Sequence, residues 1–221
     1  MENNFVNYYP LFINLNKIKC LVIGGGEVAY RKTLSLKEAG AKITLISPKV
    51  IPAFLPMVEK GEINLIKRKY QKGDLKGYFL VFAALDDKTS TLEIAQEAEE
   101  AGILLNMAQN PDGGNFILPA TLKRGELILA ISTGGQSPAL SKKIRQEFLE
   151  KYGPEYEEFL HLLGRERAFA LRKIPEISKR KAYFEALAYS DLPDLIKAGE
   201  KEKINWRINK IRENFGISVC V

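Results

Sequence analysis

The stretch Cys20-Leu21-Val22-Ile23-Gly24-Gly25-Gly26-Glu27-Val28-Ala29 decides the fold class of this chain. An apolar run ends at a glycine cluster, and apolar residues then recur at helical spacing as far as Ala39, which predicts a strand, a tight turn and a helix. Gly24-x-Gly26-x-x-Ala29 matches the dinucleotide-binding fingerprint. It predicts that Gly24 makes the turn, Gly26 lets a pyrophosphate approach the backbone, and Ala29 lets the helix pack closely. An ordinary glycine-rich turn is the alternative.

Composition limits the partners that we expect. The chain has 221 residues, of which 46% are hydrophobic, enough for one or two cores. A net charge of +6 suits an anionic ligand such as a dinucleotide or a polycarboxylate. No Lys/Arg block with aromatic stacking positions occurs, so we expect no nucleic-acid partner. No apolar run is long enough to span a bilayer and the N-terminus lacks the features of a signal peptide, so we expect a soluble cytoplasmic protein without membrane contact.

Strands alternate with helices over the first half of the chain. The near-continuous apolar run at residues 78–84 is typical of a strand buried on both faces of a parallel sheet, and Asp86 and Asp87 follow it, where open α/β sheets place ligand loops. The alternation predicts a Rossmann-like doubly wound parallel sheet. The predicted strands are residues 9–15, 19–23, 42–47, 63–66, 78–84 and 103–106, and the helices residues 27–39, 51–60 and 90–101.

The pattern changes near residue 111. Residues 115–119 and 126–132 are predicted to be two strands around Lys123-Arg124-Gly125, which makes a small α+β segment. Thr133-Gly134-Gly135-Gln136-Ser137-Pro138 follows, with Ser137 as helix N-cap and Pro138 as first helical residue. This loop is either a second anion-binding nest or a plain loop with a good cap. From residue 153 onward the pattern predicts a helical domain.

Several kinds of chemistry lack their residues. Lys32 does not stand in phosphate-loop spacing, and the single histidine, His161, cannot make a His-rich metal site. The cysteines, Cys20 and Cys220, form neither a ligand pair nor a disulfide framework, so we expect no resident metal. The acid that often holds the ribose about 20 residues past the glycines is replaced by Ser47-Pro48-Lys49. The residues alone therefore leave NAD and NADP both open.

Taken together, motifs across residues 8–150 resemble the precorrin-2 dehydrogenases of sirohaem synthesis, both the single-domain enzymes and the corresponding N-terminal part of sirohaem synthases. Each motif is weak alone, but their order and spacing are specific. The motifs are Tyr9-Pro10-Leu11-Phe12, Gly24-Gly25-Gly26-Glu27-Val28-Ala29-x-Arg31-Lys32, Gly40-Ala41-x-Ile43-Thr44, Ala83-Ala84-x-Asp86-Asp87, Asn106, Asn115-Phe116-Ile117-x-Pro119, and Ile131-Ser132-Thr133-Gly134-Gly135-x-Ser137-Pro138 with Arg145.

The resemblance implies an NAD-dependent oxidation of precorrin-2 to sirohydrochlorin, followed in some members by insertion of ferrous iron. It also implies a homodimer, with residues 1–112 as the NAD-binding domain, 113–152 as a dimerisation segment and 153–221 as a helical domain. The expected cofactor-binding residues are Gly24, Gly26, Glu27, Val28, Pro48, Lys49, Asp86 and Asn106. For the tetrapyrrole, a polycarboxylate, they are Thr133, Gly134, Gly135 and Ser137.

One departure from the family concerns the catalytic position. Gln109 stands where the family has an aspartate credited with proton removal, and a glutamine amide has no titratable group near neutrality. The catalytic candidates are therefore Gln109 and Asp112. Either Asp112 takes over, or positioning suffices, or the activity is altered. The alternative function is a non-catalytic dinucleotide- or tetrapyrrole-binding regulatory protein, and iron insertion by this chain is left open.

Overall fold

The computed structural model describes residues 7–110 and 113–217, and the chain divides into a first unit, Met1–Leu118, and a second unit, Pro119–Val221. The strands are β1 (Lys19–Ile23), β2 (Lys42–Ile46), β3 (Ile63–Ile66), β4 (Leu80–Ala83), β5 (Leu104–Met107), β6 (Ala120–Arg124) and β7 (Leu127–Ile131). The helices are α1 (Glu27–Glu38), α2 (Leu55–Glu59), α3 (Lys88–Ala101), α4 (Pro138–Lys151), α5 (Glu155–Lys173), α6 (Ile177–Ala188), α7 (Leu192–Lys197) and α8 (Lys201–Asn214).

The first unit is built on a parallel five-stranded sheet in the order β3-β2-β1-β4-β5. The central strands β1 and β4 are buried on both faces, since every residue of Cys20–Ile23 and Leu80–Ala83 is at most 4% exposed. Their side chains alternate between two cores, one packed beneath α1 and the other beneath α3. Helices on both faces of a parallel sheet confirm the predicted Rossmann-like doubly wound fold.

The strand order reverses direction at β1. The chain runs outward from β1 to β2 and β3, and then returns to place β4 on the other side of β1. Because the two halves of the sheet lead away from this point, their connections leave a crevice at the carboxyl ends of β1 and β4. The glycine turn follows β1, and Asp86 follows β4, so both lie at this crevice.

A carboxylate on α3 holds the connection between β3 and β4. The Oε2 atom of Glu97 accepts hydrogen bonds from the Tyr70 hydroxyl at 2.5 Å and the Gly73 N–H at 2.9 Å, and its Oε1 accepts one from the Leu75 N–H at 3.0 Å. Arg68 and Asp74 add a two-point ion pair with N–O distances of 2.6 and 2.7 Å. These bonds fix a long loop against the face of the sheet that α3 covers.

We expect this ion pair to make stability depend on pH in the acid range. The Arg68 guanidinium, which donates two hydrogen bonds, holds the pKa of Asp74 below its usual value. A depressed folded-state pKa stabilises the fold above the unfolded value of about 3.9, and that contribution is lost as pH falls through the folded pKa. Asp74→Asn should lower the unfolding free energy at pH 7 by about 1 kcal/mol, with a smaller loss in strong acid.

Urea unfolding at pH 7 and pH 3 measures this difference. The matched control is Glu147→Gln, which removes an exposed i,i+4 pair with Lys143 at 3.8 Å and should change stability by less than about 0.5 kcal/mol. Equal destabilisation of Asp74→Asn at both pH values would show that the ion pair does not stabilise the loop through its charge.

The strand predicted at residues 9–15 is wrong. This segment joins no sheet among the described residues, and its side chains Tyr9, Leu11 and Phe12 are exposed. Pro10 has no N–H to donate, and β1, the nearest strand along the chain, is already paired on both edges by β2 and β4. Apolar composition alone predicted the strand, but no strand edge beside β1 is left to receive it.

The strand predicted at residues 115–119 is also wrong, because the first strand of the hairpin is β6, five residues later. Asn115 explains the error. Its Oδ1 accepts a hydrogen bond from the Leu105 N–H and its Nδ2 donates one to the Ile103 carbonyl, both at 2.8 Å. Its side chain thus satisfies backbone groups at β5, and β6 pairs with β7 across a two-residue turn instead.

The second unit contains the antiparallel pair β6–β7 and helices α4 to α8. Helices α5 to α8 share one core, whose centre includes the fully buried Tyr183, Leu187 and Leu192. The predicted helical C-terminal region is therefore confirmed. The further division into a dimerisation segment at residues 113–152 and a helical domain at 153–221 stays a prediction. No helix among residues 7–110 and 113–217 is long and apolar enough to cross a membrane.

Candidate functional site: a crevice at the glycine turn

Gly24 makes the sharp turn after β1. Its φ is +121°, a conformation that disfavours residues with a side chain, and a Cβ atom here would overlap the Ala84 carbonyl. The Gly24 N–H donates to the Ile46 carbonyl at 2.9 Å, and the Ala84 N–H donates to the Ile23 carbonyl at 2.8 Å. The ends of β1, β2 and β4 are thereby held together, which brings the loops that follow them to one place.

The loop after β2 packs against Gly25. A Cβ atom on Gly25 would overlap the Lys49 carbonyl, and the Ile51 N–H donates to the Gly25 carbonyl at 2.9 Å. Ser47 is buried, and its hydroxyl donates to the Lys49 carbonyl at 2.6 Å, so this hydroxyl shapes the loop. Pro48 and Lys49 themselves are exposed beside the glycine turn. Cofactor binding by Pro48 and Lys49 stays a prediction.

Gly26 faces open space. A Cβ atom built on it would meet nothing within 4 Å, in contrast to Gly24 and Gly25. Gly26 is also the N-cap of α1 and has no capping side chain, so the first-turn N–H groups of the helix are available to a ligand. Ala29 is completely buried against the sheet. The three small positions of the fingerprint therefore have the geometry that their spacing predicts.

A crevice of about 440 Å³ opens in front of this turn. The ends of β1, β4 and β5 all contribute to it, which is the position expected for a ligand at a topological switch point. It is lined by Gly26, Glu27, Val28, Ala29, Ala84, Asp86, Ala108 and Gln109. Five residues predicted for the site are thus brought together, namely Gly26, Glu27, Val28, Asp86 and Gln109, while Gly24 shapes the turn behind them.

Gln109 and Asp86 contact each other within the crevice. The Gln109 Nε2 atom donates a hydrogen bond to the Asp86 Oδ1 atom, and both side chains are exposed. The neighbouring Asp87 has a different role, because it caps α3 by accepting from the Ser90 N–H at 3.2 Å and the Ser90 hydroxyl at 2.5 Å. These bonds lower the pKa of Asp87. Asp112 lies outside the described residues.

Asn106 lies at β5 beside the crevice-forming strands, paired in register with Phe82. Its Nδ2 donates to the Phe116 carbonyl at 3.0 Å, and the Phe116 ring packs edge-on against Phe82 with centroids 5.7 Å apart. The Asn106 amide therefore anchors the chain after β5, and cofactor binding by Asn106 stays a prediction. The structural role of Asn115 was missed by sequence reasoning, and only its place after β5 could have suggested it.

The loop predicted to bind the tetrapyrrole lies in the second unit. The Thr133 hydroxyl donates to the Ser137 carbonyl at 3.1 Å and accepts from the Ser137 N–H at 3.0 Å, so it closes the loop upon itself. Gly134 and Gly135 have φ values of +60° and +84° and are exposed. Ser137 caps α4 through the Leu140 N–H, as predicted. Substrate binding by these residues stays a prediction.

The donor set at the glycine turn fits a dinucleotide. Open space at Gly26, uncapped N–H groups at the start of α1 and a crevice at the switch point are what a pyrophosphate and its attached nucleosides require. No group of three or more His, Cys, Asp or Glu side chains that could hold a metal occurs within the described ranges. The fold and the site define a Rossmann-type dinucleotide-binding protein.

Comparison with known proteins narrows this class. Residues 11–120 match a family model described as NAD(P)-binding, and residues 124–150 match one described as the sirohaem biosynthesis protein central region. The solved structure titled SirC, precorrin-2 dehydrogenase, superposes with a TM-score of 0.73 at 27% identity, covering 93% of this chain and 100% of that one. The chain belongs to the precorrin-2 dehydrogenase and sirohaem synthase family, and the cofactor of its first unit is a nicotinamide dinucleotide.

Two curated relatives show how much of a longer protein the match includes. The siroheme synthase of Pseudomonas aeruginosa is 34% identical over 195 residues, and that of Nitrosococcus oceani is 31% identical over 198 residues. These alignments cover 88% and 90% of this chain, but 42% of each relative. The chain therefore spans less than half the length of the synthases it matches.

Proposed function

We propose that this protein oxidises precorrin-2 to sirohydrochlorin, with NAD as the hydride acceptor, during sirohaem formation. The observation that carries the proposal is the open space at Gly26, which joins the uncapped start of α1 to a crevice containing Asp86 and Gln109. The match to a structure titled precorrin-2 dehydrogenase supports the choice of substrate. A tetrapyrrole with many carboxylates also suits a chain of net charge +6.

The residues around the glycine turn would bind and orient the cofactor. The N–H groups at the start of α1 would hold the pyrophosphate, and Gly26 would leave room for it, while Gly24 makes the turn behind it. Glu27 and Val28 line the crevice next to this position. When bound, NAD supplies the oxidised nicotinamide ring that accepts a hydride. Asn106, on β5, would orient the other half of the cofactor, and Asp86, after β4, lies within the crevice.

NAD is proposed over NADP because Pro48-Lys49 replaces the ribose acid in the same way as in the NAD-dependent family that the sequence resembles. The Ser47 hydroxyl is committed to the Lys49 carbonyl, so Pro48, Lys49 and the backbone of this loop are left to contact the ribose. We propose further that Thr133, Gly134, Gly135 and Ser137 bind substrate carboxylates, and that the protein acts as a homodimer. Sedimentation of the purified protein measures the oligomeric state.

Anaerobic incubation with precorrin-2 tests the proposed reaction. We expect sirohydrochlorin absorbance to appear with NAD, and the value of kcat/KM to be at least about tenfold lower with NADP, a difference of about 1.4 kcal/mol. Ferrous iron added to purified sirohydrochlorin, without NAD, measures chelation separately. Intact tetrapyrrole binding without turnover would contradict the enzyme and favour a binding protein. Faster turnover with NADP would contradict the cofactor choice alone.

A further inference from the structure

We infer that Asp86 accepts the proton released during the oxidation, and that Gln109 is the positioning residue that holds Asp86 in place. This inference rests on the proposed function, because it assigns the proton of that same reaction. The position where the family has its aspartate holds an amide that cannot take a proton. The structure places a carboxylate in hydrogen-bond contact with that amide.

Within residues 7–110 and 113–217, only one of the two carboxylate oxygens of Asp86 makes a side-chain hydrogen bond. Gln109 Nε2 donates to Oδ1 of Asp86, so Oδ2 is the atom that can accept a proton from a bound substrate. Both residues line the same crevice as the start of α1. The hydrogen bond from the Gln109 amide restricts rotation of the Asp86 carboxylate, and a general base must lie within hydrogen-bond reach of the proton that it removes. In this chain Gln109 therefore positions the base, and Asp86 acts as the base.

The reaction balances with this assignment. Precorrin-2 loses two hydrogens: one leaves as a hydride with both electrons of its bond and reduces the nicotinamide, and the other leaves as a proton to Oδ2 of Asp86. The electrons of the second broken bond remain in the macrocycle and extend its conjugation. Asp86 is exposed, so the proton can pass from it to solvent before the next turnover.

Among the described residues, the charged groups near Asp86 include those that line the crevice and Lys69, whose charge acts on the adjacent Asp87. On α1, Glu27 is the other titratable residue lining the crevice, and on the β5 side the neutral Gln109 faces Asp86. Asp87 and Lys88 follow Asp86 at the start of α3, and Asp87 is engaged by Ser90. Within the residues that line the crevice, Glu27 and Asp86 are therefore the carboxylates, and Asp86 is the one that the Gln109 amide holds.

The first test compares two adjacent carboxylates. Asp86→Asn should lower kcat for sirohydrochlorin formation about 100-fold or more, the usual contribution of a general base, while the Kd for NADH changes less than about threefold. Asp87→Asn is the matched control, since asparagine also caps helices well, and its kcat should equal that of the wild type. An active Asp86→Asn, or a loss of NADH binding equal to the loss of kcat, would overturn the assignment.

The pH profile separates a base from a structural contact. The rate should fall as pH drops, because a base works only when deprotonated. Gln109→Asp places a second carboxylate beside Asp86. The acid limb of the pH–rate profile should then move to higher pH, because two neighbouring negative charges favour protonation of one of them. Gln109→Met removes the hydrogen-bond donor to Asp86, so kcat should fall. An acid limb of the pH–rate profile that does not shift in Gln109→Asp would overturn the assignment. Loss of activity in Asp112→Asn, with Asp86→Asn still active, would overturn it as well.

The two proposals fail in different ways. If the wild-type protein does not turn over precorrin-2, the proposed function is wrong and the assignment of the proton falls with it. If the wild type is active and Asp86→Asn is equally active, only the assignment is wrong.

Discussion

Replacing Gly26 with valine is expected to abolish dinucleotide binding and leave the fold intact. The backbone of Gly26 has φ −90° and ψ −173°, which valine adopts easily, and a Cβ atom there meets nothing within 4 Å. The added side chain would instead fill the space that a pyrophosphate must enter at the start of α1. We expect the Kd for NADH to rise at least about 100-fold, equivalent to about 2.7 kcal/mol, with an unchanged unfolding midpoint.

Fluorescence titration with NADH measures the affinity, and circular dichroism measures the fold. Gly164→Val is the control, because a Cβ atom at Gly164 on α5 also meets nothing within 4 Å, and this residue belongs to the second unit. Gly24→Val is the contrasting variant: its positive φ and the overlap with the Ala84 carbonyl should unfold the site itself. NADH binding by Gly26→Val at wild-type affinity would show that the crevice is not the cofactor site.

Replacing Glu166 with alanine is expected to destabilise the second unit by about 3 kcal/mol, because it leaves the partly buried Arg212 guanidinium and the buried Tyr183 hydroxyl without their acceptor. Glu166 is only 5% exposed, and its Oε1 and Oε2 accept from Arg212 Nη2 at 2.6 Å and Nε at 3.0 Å. The hydroxyl of the fully buried Tyr183 donates to Oε2 at 2.5 Å. Burial and the nearby carboxylate raise the pKa of Tyr183, so it stays a neutral donor.

Urea unfolding followed by circular dichroism tests this expectation. Glu166→Gln keeps the shape and one acceptor, so its loss should be smaller than that of Glu166→Ala. The control Glu185→Gln removes an exposed pair with Lys181 at 4.0 Å and should cost less than about 0.5 kcal/mol. A loss below about 1 kcal/mol in Glu166→Ala would show that Arg212 finds water or another acceptor when its partner is removed.

The sequence predicted the elements that depend on local pattern. The run Cys20–Ile23 and the glycine turn predicted β1, α1 and the tight turn between them, because the tasks of Gly24, Gly26 and Ala29 follow from the backbone alone. Apolar runs placed the buried strand β4, since burial on both faces needs no partner to be known.

Long-range pairing was not predictable in this way. Residues 9–15 are apolar but find no free edge on β1, which β2 and β4 pair on both sides, and Asn115 occupies backbone groups at β5 that a strand would otherwise use. The contact of Gln109 with Asp86 joins residues 23 positions apart, and that of Glu166 with Arg212 joins residues 46 positions apart. Neither pair has a local signal. Single residues departing from a family, such as Gln109, can only be interpreted once their neighbours are known.

The most direct test of the proposed oxidation is the stoichiometry of a single anaerobic turnover. Precorrin-2, NAD and an excess of wild-type protein are mixed, and NADH and sirohydrochlorin are quantified in the same sample. We predict equal molar amounts of the two products with the wild type, and neither product with Gly26→Val. Sirohydrochlorin without NADH, or bound tetrapyrrole that forms neither product, would contradict an oxidation that uses the cofactor at the glycine turn.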